Sequence, residues 1–144
     1  MIGSQATIPQ EDTGAELSEV LIDMIIDKIV AGTNAMIARI DPSWDRTADY
    51  YGYSTRGKYD YDDFAELDEP YTEYEVTYRC ELTWDYCEWT ECWSDPPCCP
   101  SFSELRNETG QIYNIEIRTP DGEAVKQNIC KRIEAMVNES VGDI

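Results

Sequence analysis

The chain has 144 residues, 42% of them hydrophobic, and 30 acidic side chains face 11 basic ones for a formal net charge of −19. That length supports one domain with a genuine core rather than two, and the apolar fraction excludes wholesale disorder. A surface so negative repels phosphates, which excludes specific nucleic-acid binding through a basic patch and attachment to anionic membranes.

Three readings of the acidity stay open: ordinary solubility, adaptation to high salt, and imitation of a polyanion. Only four lysines occur, arginine outnumbers them, and Asp and Glu crowd the polar positions. That bias suits high salt, where screening relieves self-repulsion. Carboxylates standing in for DNA phosphates would instead make the protein an acidic inhibitor of a nucleic-acid-binding host protein.

Residues 1–12 read as a polar, flexible arm without the basic start and apolar run of a signal peptide. Thr13 and Glu16 have the spacing of a capping box and predict a helix from there to about Ile40, ended by Asp41-Pro42 and open to a kink at Gly32. On that helix Glu16, Glu19, Asp23, Asp27 and Asn34 form a narrow polar stripe, and nearly everything else is apolar. Such a face asks for cover on more than one side, from the core or from another subunit. Asp23, Asp27 and Lys28 interrupt its greasiest stretch, so it does not read as a membrane span.

Residues 41–72 are dense in tyrosine and aspartate and show no sustained period, which predicts an extended loop or arm. Tyrosines lend contact area at low entropy cost, so Tyr50, Tyr51, Tyr53, Tyr59 and Tyr61 are interface candidates. Between residues 73 and 86, Tyr74, Val76, Tyr78, Cys80, Leu82, Trp84 and Tyr86 alternate strictly with polar residues, as in an antiparallel strand with one wet face. Residues 87–110 read as a Cys/Trp/Pro-rich insertion, with Ser101 and Glu104 spaced to open a short helical turn. A second strand over 111–119, with Tyr113, Ile115 and Ile117 on one face, turns through "PDG" into a helix ending near Asn138. Asp121 is its expected N-cap, and Val125, Ile129, Ile133, Met136 and Val137 its apolar side.

Residues 13–144 thus form a single α+β domain: a small antiparallel sheet packed by a long N-terminal and a C-terminal helix, with long Tyr/Asp-rich and Cys/Trp-rich loops. The triplets at Asn107 and Asn138 read as chance matches to a glycosylation signal.

Five of the six cysteines lie in "CELTWDYCEWTECWSDPPCC". No paired C-x₂-C knuckles and no histidines are present, so a zinc site is the weakest of three readings for Cys87, Cys92, Cys98 and Cys99. The others are two disulfides stapling the loop and free thiols in a loop anchored by Trp89 and Trp93, a residue type enriched at interface hot spots. Cys80 and Cys130 fall on apolar faces and read as core residues. The absence of histidine also removes Ser-His and Cys-His nucleophile pairs. No phosphate-binding glycine loop occurs, and "DYDDFAELDE" resembles a calcium loop only in acidity. The residues therefore favour no enzyme, no cofactor and no metal.

The element order is a long helix, a long loop, antiparallel strands and then "IYNIEIRTPDGEAVKQNICKRIEAMV" (112–137), a strand turning into an amphipathic helix. This order, over residues 14–138, resembles the tail-terminator or tail-completion proteins of tailed viruses, small α+β subunits that form rings capping the tail tube at the neck. The resemblance implies a non-enzymatic structural subunit, protein partners, a homo-oligomeric ring with an acidic lumen through which DNA passes, and no membrane. It also implies a place in the virion and in host cytoplasm during assembly. With the acidity, it points to a virus of a halophilic host.

Overall fold

The computed structural model describes residues 13–48, 55–91 and 100–141. In chain order these form helix α1 (Glu19–Ile37), a 3-10 turn (Pro42–Trp44), strands β1 (Thr55–Ala65), β2 (Glu75–Thr90) and β3 (Ser101–Arg118), and helix α2 (Gln127–Ser140). The strands make one antiparallel sheet in the order β1-β2-β3. The class is α+β, as the switch between periods of two and 3.6 requires.

The helices share one face of that sheet. Val76, Tyr78, Cys80, Leu82 and Trp84, every second residue of β2, are buried in one cluster with Leu21, Ile22, Ile25 and Ile29 of α1 and with Cys130, Ile133 and Val137 of α2. Their alternation was legible, and Cys80 and Cys130 are core residues. Burial pushes both thiols above their ordinary pKa. The helix α1 does not bury its whole apolar surface: Val20 is 67% exposed and Met24 and Val30 are half-buried. Gly110 explains how closely α1 approaches β3, since a Cβ there would lie 3.1 Å from Thr33 Cγ2 and 3.2 Å from Leu82 Cδ2. Among the described residues, no helix is long and apolar enough to cross a membrane.

Several boundaries differ from expectation. Helix α1 begins at Glu19 with Ser18 as its cap, the Ser18 hydroxyl accepting from Leu21 N at 3.2 Å. The expected box at Thr13 and Glu16 is not formed, because residues 14–16 are stitched to the segment before α2. Gly14 has φ +121°, Ala15 N donates to Ala124 O at 2.9 Å, and Lys126 N donates to Ala15 O at 2.9 Å. Glu16 instead accepts from Lys126 Nζ at 2.8 Å. The "PDG" turn forms, with Gly122 at φ +85°, but the next residues return along β3 through an Arg118–Ala124 bridge. Helix α2 is therefore delayed, and Lys126 rather than Asp121 precedes it. Met136 points away from the core at 40% exposure.

Residues 41–72 are not one continuous loop, since 55–65 form β1. Nor is 87–110 an insertion, because β2 runs on to Thr90 and β3 starts at Ser101, where the expected helical turn is strand. Two bulges in β3 break its alternation, each marked by an asparagine at positive φ: Asn107 at 56° and Asn114 at 54°. The second carries Tyr113 to the solvent face opposite Arg79, while Ile112, Ile115 and Ile117 stay inside.

Sheet edges carry unpaired backbone groups and invite unwanted pairing. Asn138 on α2 blocks the β3 edge as a neighbouring strand would: its Oδ1 accepts from Ile112 N at 2.7 Å and its Nδ2 donates to Ile112 O at 2.9 Å. The nitrogen that glycosylation would modify is thus engaged. Removing both bonds in Asn138→Ala should lower stability by about 1–3 kcal/mol, read as a lower denaturant midpoint at unchanged m-value.

Candidate functional site

Length decides where helices α1 and α2 leave the sheet uncovered. Strand β2 has 16 residues, about 50 Å of extended chain, while the 19 residues of α1 span only about 28 Å. The buried cluster accordingly ends at Trp84, with Tyr86 and Leu105 half-buried at its margin. Beyond it, Cys87–Thr90 and Ser101–Glu104 pair with each other as a two-stranded arm outside that cluster, with Cys87 buried and Trp89 and Phe102 half-buried. Trp89 and Phe102 face each other across the arm with centroids 5.7 Å apart and planes 22° apart. Neither belongs to the core. Such a stack adds about 0.5–1.5 kcal/mol beyond burial. Tyr86 Oη donates to Glu88 Oε1 at 2.9 Å, and Arg106 grips Glu104 through two nitrogens at 3.0 and 2.8 Å.

A second aromatic group sits at the opposite edge of the sheet. The 3-10 turn starts where Asp41 caps Ser43 N at 2.9 Å and Pro42 occupies the first turn. It carries Trp44 onto Tyr59, centroids 5.3 Å apart, and Tyr59 stacks on Tyr61 at 5.9 Å. Asp45 holds this loop against β1. Its Oδ2 accepts the outward-facing Lys58 N–H at 2.8 Å, and its Oδ1 accepts from Thr47 N at 2.9 Å, Thr47 Oγ1 at 2.8 Å and Ala48 N at 3.1 Å. These donors, Lys58 N–H first, hold the Asp45 carboxyl below the usual range. Deeper in, burial pushes the Tyr61 phenol far above its ordinary pKa, with the Cys80 thiol beside it. The Tyr61 hydroxyl has no hydrogen-bond partner among the described residues. Tyr78 Oη makes a long 3.4 Å contact to Asp63 Oδ2, and burial first, then that carboxylate, raises its phenol too.

The solvent face of the sheet is a charged ladder. Asp60 and Glu81 lie directly opposite, a repulsive pair. Tyr113 Oη donates to Asp60 at 3.3 Å and Lys58 Nζ approaches Glu81 at 3.9 Å, which relieves it. Arg79 pairs with Asp62 at 2.9 Å and covers the Tyr113 ring at 5.7 Å. No protein-family model, curated protein or solved structure matches this chain.

Of the interface candidates named from sequence, Tyr59 and Tyr61 lie together at the β1 edge and Trp89 lies on the arm, on the far side of the sheet. Tyr50, Tyr51, Tyr53 and Trp93 lie outside the described residues, as do Cys92, Cys98 and Cys99. Cys87 is buried in β2 as a free thiol. Within the acidic run at 60–69, strand alternation sends Asp60 and Asp62 to one face and Asp63 to the other. Among the described residues, no group of three or more ligating side chains is placed to hold a metal.

Trp44, Phe64 and Phe102 were missed. A period of two was present in β1, with Gly57, Tyr59, Tyr61 and Ala65 against Arg56, Lys58, Asp60 and Asp62. It was hidden by Phe64 on the charged side. What these groups offer is aromatic contact area in two patches.

Asp45→Ala should cost about 1–2 kcal/mol by freeing the Lys58 N–H and the 45–48 loop. Because the folded carboxyl titrates below its unfolded value, this stabilisation is present above the unfolded pKa and disappears as pH falls through the folded one. Denaturation midpoints of the two proteins should therefore converge on acidification.

Proposed function

We propose that the protein is a non-enzymatic assembly subunit, a head–tail or tail component of a virion from a halophilic host, which oligomerises through projecting elements. The observation that carries this reading is the arm: a hairpin about twice as long as the helices can cover, tipped on its described portion by a Trp89–Phe102 stack. A lone two-stranded hairpin is marginal in water, so an arm of this kind gains most when a neighbour packs on it. The order of a long helix, antiparallel strands and a final amphipathic helix supports the virion part, and the net charge supports the high-salt part. Two bodies each carrying −19 repel at low ionic strength, and a screening length of about 3 Å in 1 M salt removes that barrier.

Light scattering after size exclusion tests it. The mass should be a multiple of 16.5 kDa, with the assembled fraction rising from about 0.1 M to about 1 M salt. Trp89→Ala with Phe102→Ala should weaken association about thirtyfold, the loss of one hot spot, at unchanged helical signal. A strict monomer at every salt concentration sinks the reading.

A further inference from the structure

The two ends of β1 are chemically opposite. Near its start, Trp44 and Tyr59 line an open groove of about 710 Å³ whose wall also holds three carboxylates, Asp45, Asp60 and Glu81, and three cations, Arg46, Arg56 and Lys58. These are three of the 11 basic residues in the chain, and none is firmly held. Arg46 makes no ion pair among the described residues. Arg56 stays 3.6 Å from Asp85 with its side chain 75% exposed, and Lys58 stays 3.9 Å from Glu81 at 63%. The backbone edge at this point is closed, because Asp45 takes the Lys58 N–H. The groove is therefore a socket for side chains and not a strand-pairing site.

About 20 Å along the same strand, Phe64 stands 60% exposed on the sheet face otherwise occupied by charges. Its own N–H is satisfied by Asp63 Oδ1 at 2.8 Å, so the ring is what remains unpartnered. Phe64 borders a cleft of about 490 Å³ that also includes Leu67 and Tyr74, with Glu66 and Glu75 in its wall. Glu69 and Glu73 are exposed beside it. Among the described residues, none of these four glutamates is ion-paired.

We infer that the Phe64 end of one copy docks into the Trp44–Tyr59 socket of the next, phenyl ring on aromatic floor and glutamates on Arg46, Arg56 and Lys58. This rests on the reading that the chain self-assembles, and it names a contact separate from the arm. A second copy is the occupant because each molecule supplies both halves with matching chemistry. Acidic copies repel over most of their surfaces, so approach is favoured where the acidic end of one meets the groove that gathers three of the other's few cations. Packing the solvent faces of two sheets together is disfavoured, since it would bury Asp60 and Asp62 of both copies. The two ends differ, so the contact is head-to-tail and repeats into a ring or a filament.

The test is photo-crosslinking in about 1 M salt, where screening favours assembly, with p-benzoylphenylalanine in place of Phe64 in a mixture of isotopically light and heavy protein. Mixed-isotope crosslinks should map to Trp44 or to residues 56–60. Arg46→Glu, exposed, outside the core and in no ion pair among the described residues, should cut their yield about tenfold while the melting temperature stays put. Assembled protein that gives no crosslink, or crosslinks Phe64 to the arm or to the Phe64 region of another copy, overturns the docking and leaves the assembly reading intact. A monomer at all salt concentrations overturns both.

Discussion

Two helices of about 28 and 21 Å cannot roof a hairpin of about 50 Å, and most of the molecule follows from that mismatch. The covered half of the sheet gets a continuous aliphatic core, from Val76 to Trp84 on β2 and from Leu21 to Ile37 on α1. The uncovered half has to be polar, aromatic or engaged by something else. Its composition reflects this: the cysteine, tryptophan and serine of the arm replace the isoleucines of the core. The boundary between the two is sharp because Asn107 puts a bulge into β3 beside Asp85, and Asn107 Nδ2 donates to Asp85 Oδ2 at 2.8 Å there.

Charge is arranged around the same division. Where α1 and α2 meet, the acidic stripe finds its few cations: Arg132 binds Glu19 through two bonds of 2.9 and 2.8 Å, and Lys126 binds Glu16. These exposed pairs contribute little to stability individually; the two helices are held on the sheet by the buried cluster. The sheet edges are managed by side chains imitating backbone, Asn138 on β3 and Asp45 and Asp63 on β1. Edges closed in this way disfavour indiscriminate strand pairing, while Phe64 stays exposed and Trp89 and Phe102 half-buried.

How much of this was legible in the sequence depends on which residues faced the core. Strand β2 was readable because its inward residues are all large and apolar. Strand β1 was not, because it is an edge strand whose inward positions are glycine, tyrosines and an aspartate, a pattern that composition alone assigns to a loop. The start of α1 was misplaced because a capping box is a local signal, and the pull on residues 14–16 comes from residues 124–126, more than a hundred positions away. The bulge at Asn114 turned Tyr113 outward for a reason invisible to simple alternation. Among the candidate residues, Trp89 was named from its type alone, whereas its stacking partner Phe102 could be recognised only once the pairing of β2 with β3 was known.

The long reach of those contacts has a consequence for how the protein is made. Helix α1 leaves the ribosome early, but Lys126 and Arg132 are synthesised 110 and 113 residues after their glutamate partners, and Ile133 and Val137, which share its core, come with them. Until then its isoleucine face has no roof to lie beneath, and a nascent chain in that condition is exposed to aggregation. Final packing therefore belongs to the finished polypeptide, so truncation near the C-terminus should leave the first helix homeless rather than merely shortening the domain.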